Sequence, residues 1–322
     1  GYTLTIPVDL SGQRSHRLLA TEKRQEAARF RLAVAAWTAR SAVRQALSEM
    51  HTAENSAKAW RALLPAITNA RKALAAQATA GEVSRAEAAQ VRLTLDRAEL
   101  ASREADRARL NAASRLAETI GIPLAALSAK TLSLRGLGSF GRPPRIDQAR
   151  LWAAQHRADL LAALSEYSAT QADLQAEIAR QYPDVSIGPG YQLDQGEGKW
   201  SLGIDVSLPL FNRNGGAIAA AEAKRSAEAA KFQALQIKIL SDVDRTVGAY
   251  ADSIADLATL GRMDADLIVA SKHLAAQEKA GEVSALEAAR LLMEQADAVV
   301  SAQAARQRAE QSLAALESAV QR

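Results

Sequence analysis

Residues 74–89 read LAAQATAGEVSRAEAA and residues 274–289 read LAAQEKAGEVSALEAA, so twelve of sixteen positions are identical at a spacing of 200. A period that long is too large for a solenoid and marks a duplicated half of a domain. The same offset aligns the start of each half. Leu4, Ile6, Val8 and Leu10 fall on Ile204, Val206, Leu208 and Leu210, and Glu22 falls on Glu222. Each half therefore has one order of parts: strand, very long helix, tight glycine turn, second long helix. The first repeat is expected over 1–144 and the second over 145–322.

The strands are written in period two. Over 2–10, Tyr2, Leu4, Ile6, Val8 and Leu10 alternate with Thr3, Thr5, Pro7 and Asp9. Over 200–210, Leu202, Ile204, Val206, Leu208 and Leu210 alternate with Ser201, Gly203, Asp205, Ser207 and Pro209. A third run, 184–194, places Val185, Ile187, Tyr191 and Leu193 on one face and joins the 200–210 strand through a polar link, which reads as a hairpin. Any one such strand fits a half-buried sheet on a soluble core. Three with wholly apolar faces fit a tilted crossing of hydrocarbon, because the remaining sequence offers only amphipathic helices to cover them.

Helices are predicted over 14–79, 84–118, 146–181, 217–279 and 284–321. At about 1.5 Å per residue the longest reach roughly 100 Å, beyond any globular core, so they must lie side by side as coiled antiparallel hairpins. Trp60, Leu63, Ile67, Ala70 and Leu74 keep a three-four spacing, as do Leu240, Val243, Val247, Tyr250, Ile254 and Leu257. Composition agrees: hydrophobic residues make up 48% but aromatics only 4%, the profile of long alanine-rich helices. No window of eighteen uncharged apolar residues exists, so if a membrane is crossed, strands cross it. Residues 120–145 concentrate mid-chain Pro and Gly and form a connector or a belt around the helices.

The two AGEVS segments combine opposite signals. Gly81 and Gly281 stop one helix as C-caps, and Ser84-x-x-Glu87 and Ser284-x-x-Glu287 start the next as capping boxes. That structural role alone accounts for every residue in the motif.

Several chemistries are excluded. There is no cysteine, and His16, His51, His156 and His273 are scattered without a second ligand at metal spacing beyond isolated pairs such as His51 with Glu54, so neither a metal site nor a cofactor is expected. No nucleophile elbow, phosphate loop or carboxylate pair stands in a catalytic setting, so the chain is not read as an enzyme. Asp9 and Asp205 are expected to be solvated residues of the polar strand faces. The 40 basic and 36 acidic residues are finely mixed, for a formal charge of +4, which leaves no phosphate-tracking patch for nucleic acid. The chain opens at Gly1-Tyr2-Thr3 within a strand pattern, as a mature or trimmed fragment does.

RADLLAA at 157–163, YPDVSIGPGY at 182–191 and WSLGIDVSLPLFNRNGGAIAAAEA at 200–223, with the helices between and beyond them, resemble the TolC-like outer-membrane efflux family over nearly the whole chain. The PLFNRNGGAIA segment is most similar to members that work with heavy-metal pumps of the cobalt-zinc-cadmium type. Ala158 stands where the family usually has proline, and the family's protomer has four strands where this chain shows three. The resemblance therefore implies that an N-terminal helix and a first strand are missing. It also implies a mostly α fold with a small β part, the helices forming an α-barrel protomer and the strands one third of a trimeric transmembrane β-barrel. The expected place is the outer membrane of a Gram-negative bacterium, in contact with its lipid, with the helices in the periplasm.

The function so implied is a passive export conduit in a tripartite system, for heavy-metal cations, with drug or protein export by the same kind of channel as the alternative. The implied partners are two further copies, a periplasmic adaptor (membrane fusion) protein and, through it, an inner-membrane resistance-nodulation-division pump. The family's hairpin tips match Ala80, Gly81, Glu82, Val83 and Ser84, and Ala280, Gly281, Glu282, Val283 and Ser284, where the adaptor docks. Glu287 matches the acidic ring of the periplasmic gate, and Arg290 stands where a second acid is common. A soluble coiled-coil scaffold is the competing reading; it explains the helices and capped turns but not the apolar strand faces.

Overall fold

The computed structural model describes residues 2–128, 132, 137–194, 196–207, 213–279 and 285–321; for 3, 128, 184, 194, 264, 267, 271, 272, 274–279, 285–290 and 292 it describes the backbone alone. The elements run β1 (Tyr2–Thr3), β2 (Ile6–Val8), α1 (Gln13–Ala80), α2 (Arg85–Ile120), α3 (Leu124–Ser128), α4 (Ile146–His156), α5 (Ala158–Ala179), β3 (Asp184–Asp194), β4 (Glu197–Ser207), α6 (Gly215–Lys279) and α7 (Ala285–Val320). They form two compact units, one of residues 1–36, 150–242 and 321, the other of 37–149, 243–320 and 322.

The first unit holds the sheet. β3 lies between β4 on one side and β1 with β2 on the other, all antiparallel. Tyr2 pairs with Tyr191 and Ile6 with Ile187, so β1 and β2 keep one register although Leu4 and Thr5 separate them. Pro189 explains the gap. The Leu4 N–H donates to the Pro189 carbonyl at 3.0 Å, but proline has no N–H to return, so that rung keeps one hydrogen bond. On the other side Pro189 sits opposite Leu202 in an unbroken β4. The strand expected over 2–10 is thus two short strands that stop at Val8. Its tail turns instead to helix capping: Asp9 Oδ2 accepts from the Arg14 N–H at 2.7 Å and Oδ1 from the Gln13 N–H at 3.1 Å. These bonds, that from Arg14 first, hold the Asp9 carboxyl below the usual carboxylate range. The polar link expected after 194 is shorter than foreseen, since β4 already begins at Glu197.

The helix expected over 146–181 is broken at Arg157, whose backbone is extended (φ −67°, ψ 113°). Neither Gly nor Pro marks the break. Ala158 opens α5, the position where a proline's fixed φ and missing N–H are tolerated, and its N–H donates to Gln321 Oε1 at 2.8 Å. Arg157 also clasps Asp159, with Nε 2.9 Å from Oδ1. Burial opposes ionisation of Asp159, yet the Arg157 guanidinium together with the backbone N–H of Leu160 holds the carboxyl below its ordinary range.

The second unit is helical. The predicted seam is observed: Trp60, Ile67 and Leu74 of α1 pack with Val91, Leu95, Ala98 and Ala105 of α2 and with Ala296 of α7. Arg71 reaches Asp96 at 2.7 Å and Glu99 at 3.2 Å, and Arg61 bonds Asp106, so ion pairs flank the same antiparallel register. A second cluster joins Ala46 to Leu116, Ala117 and Leu127. The connector is tied down where the buried Tyr250 donates its hydroxyl to the Gly141 carbonyl at 2.8 Å, and burial pushes that phenol's pKa up.

Candidate functional site

Two places in the chain have the character of a working surface. In the sheet, register puts Val8, Val185 and Val206 on one rung, Ile6, Ile187 and Ile204 on the next but one, and Tyr2, Tyr191 and Trp200 on another. All of these side chains share a face, because alternate residues of paired strands point the same way. That face is uncovered: Trp200 is 81% exposed, Leu202 71% and Ile204 69%. The opposite face carries Ser186, Gly188, Gly190 and Gln192 of β3 with Ser201, Gly203, Asp205 and Ser207 of β4. Asp205 thus lies on the polar face as expected, whereas Asp9 has left it for the start of α1.

An aromatic pair closes the hairpin end of the apolar face. The Tyr191 and Trp200 rings lie 4.9 Å apart at 54°. Tyr191 also covers Gly198, where a Cβ would come within 2.7 Å of its hydroxyl, so the glycine is filled by its neighbour's ring. The period-two pattern places Tyr191 on this face, but neither Trp200's place beside it nor this contact, which depends on which residues face each other across the hairpin.

The other surface is the turn Gly81–Ser84. Gly81 sits at φ +77°. Its N–H donates to the Ala78 carbonyl at 3.4 Å and the Glu82 N–H to that of Gln77 at 3.0 Å, the pair of bonds of a Schellman stop. The Ser84 hydroxyl then accepts from the Glu87 N–H at 3.2 Å and starts α2. Val83 packs back on the core beneath, which leaves Gly81 with nothing within 4 Å of its Cα-substituent position. The capping signals at the first tip are therefore both present. The second tip, Ala280, Gly281, Glu282, Val283 and Ser284, lies outside the described residues, and Glu287 and Arg290 are described only as backbone within α7.

Among the described residues no group of three or more His, Cys, Asp or Glu could hold a metal ion, and no helix is long and apolar enough to cross a membrane. Arg213-Asn214 forms a further junction to which the sequence pattern assigns no role. Asn214 takes a left-handed backbone (φ 55°) and its Nδ2 donates to the Glu177 carbonyl at 2.9 Å and to Glu177 Oε2 at 2.8 Å, pinning the start of α6 to the end of α5. The Asn-Gly pair at 214–215 is the signal that marks such a turn.

Comparison with known proteins bears out the family resemblance. The sequence profile described as "Outer membrane efflux protein" matches residues 1–122. The cobalt-zinc-cadmium resistance protein CzcC of Cupriavidus metallidurans is 27% identical over 216 residues, which is 66% of this chain and 50% of CzcC, so the chain spans about half the length of that relative. A membrane protein from Pseudomonas aeruginosa superposes with a TM-score of 0.80 at 18% identity, over 99% of this chain and 75% of that one. The Campylobacter jejuni CmeC outer membrane channel does so with a TM-score of 0.79 at 14% identity, over 99% and 70%. The fold is that of these membrane proteins: long helical hairpins with a small antiparallel sheet.

Proposed function

From the outer membrane efflux profile over residues 1–122 and the fold shared with a solved outer membrane channel, we propose that this chain belongs to that family and is a protomer of an outer-membrane channel that lets solutes pass passively from the periplasm to the outside. The observation that carries this reading is the sheet. One face is apolar and uncovered, the other is polar, and among the described residues β4 and the β1/β2 strand each pair with β3 alone. Eleven residues of β3 at about 3.3 Å each, tilted by about 45°, span roughly 25 Å, the height of a barrel's apolar band. An open edge in lipid leaves unpaired N–H and C=O groups at several kcal/mol each, so the barrel needs strands from other copies. A homotrimer supplies them.

The relation to CzcC, a cobalt-zinc-cadmium resistance protein, favours heavy-metal cations as cargo. In this reading the tips Ala80–Ser84 and Ala280–Ser284 receive a periplasmic adaptor, which couples the channel to an inner-membrane pump, and Glu287 with Arg290 forms the periplasmic constriction. Three copies of a carboxylate at Glu287 narrow the mouth and favour cations.

Planar-bilayer recording of the purified chain tests both levels. The expected result is stepwise, cation-preferring conductance, with Glu287→Ala raising basal conductance or weakening the preference. Absence of any step, together with a chain that stays monodisperse in buffer without detergent, overturns the channel in favour of a coiled-coil scaffold. Unchanged single-channel behaviour in Glu287→Ala removes the gate assignment only. Growth of a deletion strain on zinc, cobalt, cadmium and small drugs separates metal from drug export.

A further inference from the structure

Just beyond the sheet, within the first unit, α1, α5 and α6 enclose a cleft of about 470 Å³ lined by Arg17, Arg24, Arg180 and Lys224, by Asp173 and Glu177, and by alanines of α5 and α6. Four cations face two carboxylates, a surplus of two positive charges. Asp173 is shared between Arg24, which bonds it directly, and Lys224 at 3.9 Å, while Arg180 meets Glu177 at 2.8 Å. Arg17 makes no ion pair among the described residues. The frame is fixed by the Asn214 clamp on Glu177 and by Gln181 Nε2, which donates to the Arg213 carbonyl at 3.1 Å. Small alanine walls leave the room, and the clamped junction fixes the helix ends from which the cations project.

We propose that this cleft binds a phosphate group, and that its source is the headgroup of a phospholipid in the periplasmic leaflet. The second part rests on the membrane reading of the sheet. Val8, Val185 and Val206 form the last apolar rung of the sheet on the side of the helices. Gln13 and Arg14 line one cleft with Val8 and Val185, so α1 starts at that rung; Arg17 lies about 5 Å of helix beyond Arg14, and Arg180 follows the last residue of α5, five residues before Val185. The polar layer of a bilayer extends roughly 5–8 Å beyond its hydrocarbon on each side, so these guanidiniums stand at the depth of the headgroup phosphates. Guanidinium forks match phosphate oxygens two at a time, and among the described residues lining the cleft two positive charges are left without a carboxylate.

The test uses the full chain, purified in maltoside detergent and stripped of lipid. Titration calorimetry compares a short-chain phosphatidylglycerol, the diacylglycerol that lacks its headgroup, and inorganic phosphate, on wild type and on Arg17→Gln/Lys224→Gln, which leaves Asp173 its Arg24 partner. Saturable phosphatidylglycerol binding, absent with diacylglycerol and weakened on the order of tenfold or more in the variant, supports the proposal. Inorganic phosphate binding as tightly, with the same loss, keeps the cleft as a phosphate site and overturns the headgroup as source. No binding to wild type, or equal binding to the variant, overturns the cleft. If the double variant fails to assemble, Arg17→Gln alone is judged by the same criterion. Conductance recorded in parallel keeps the two readings apart: a non-conducting chain with variant-sensitive binding sinks the channel and leaves the cleft, and a conducting chain without such binding does the reverse.

Discussion

The α1–α2 hairpin and the sheet each carry a regular row of apolar residues, yet the hairpin turns its Trp60-Ile67-Leu74 row inward and the sheet turns its row out. Leu95 is fully buried against Trp60, Ile67 and Val91, the helix ends are capped by Gly81 and Ser84, and Arg71 finds Asp96 and Glu99. That seam, its caps and its ion pairs are made within one chain, although Leu93, Leu100 and Leu110 of α2 stay exposed. In the sheet, Leu202 and Ile204 look outward and two strands have a free edge among the described residues. If the chain is a channel protomer, lipid and neighbouring copies cover that face, so the two regions should respond to mutation in different assays.

The largest effect is expected from Leu202→Arg. Leu202 pairs with Pro189 near the middle of both strands, so an arginine there meets the centre of the apolar band at about 2–4 kcal/mol per copy. The variant should disappear from the assembled oligomer of the membrane fraction. Ser201→Arg, one residue away on the polar face, should assemble as wild type does. Equal assembly of the two would show that the outward face does not meet lipid, and the contrast with the hairpin would collapse.

A smaller, local effect is expected at the tip. Ser84→Ala removes the acceptor for the Glu87 N–H and should destabilise the hairpin by about 1 kcal/mol. Hydrogen exchange at the first turn of α2 should quicken while membrane assembly stays intact. Loss of assembly in this variant would mean that hairpin and sheet are not independent in the way their contacts imply.

The contrast also explains what could be read in advance. Alternation at Tyr2–Val8, Val185–Leu193 and Leu202–Val206 named the outward face because period two survives whatever the strands pair with. The seam Trp60-Ile67-Leu74 was legible for the same reason at period 3.6. The gap at Leu4 was hidden, since it arises from Pro189, nearly two hundred residues away, and only the pairing brings the two together. The break at Arg157 was hidden too. Its stabilising partner is the Gln321 side chain, and no glycine or proline announces it. The cationic cleft draws one or two residues from each turn of three helices, a pattern that mixed charge along the chain conceals.

Asp9 stands where the sheet gives way to α1, and it sharpens the comparison with the smallest effect. Its carboxylate accepts from the backbone N–H groups of Arg14 and Gln13, and those bonds hold its pKa below the ordinary 3.8. A depressed folded pKa means that the cap's contribution is complete above the unfolded value and fades as pH falls through the lower, folded one. Asp9→Asn keeps the shape but cannot carry the charge that favours a helix N-terminus. The difference in thermal midpoint between wild type and Asp9→Asn, followed by circular dichroism, should be constant from neutral pH down to about 4 and shrink below it. Subtracting the variant at each pH removes the titration of the other carboxylates. A difference that stays constant to pH 2 would mean that Asp9 serves α1 by shape alone and that its charge contributes nothing to the helix start.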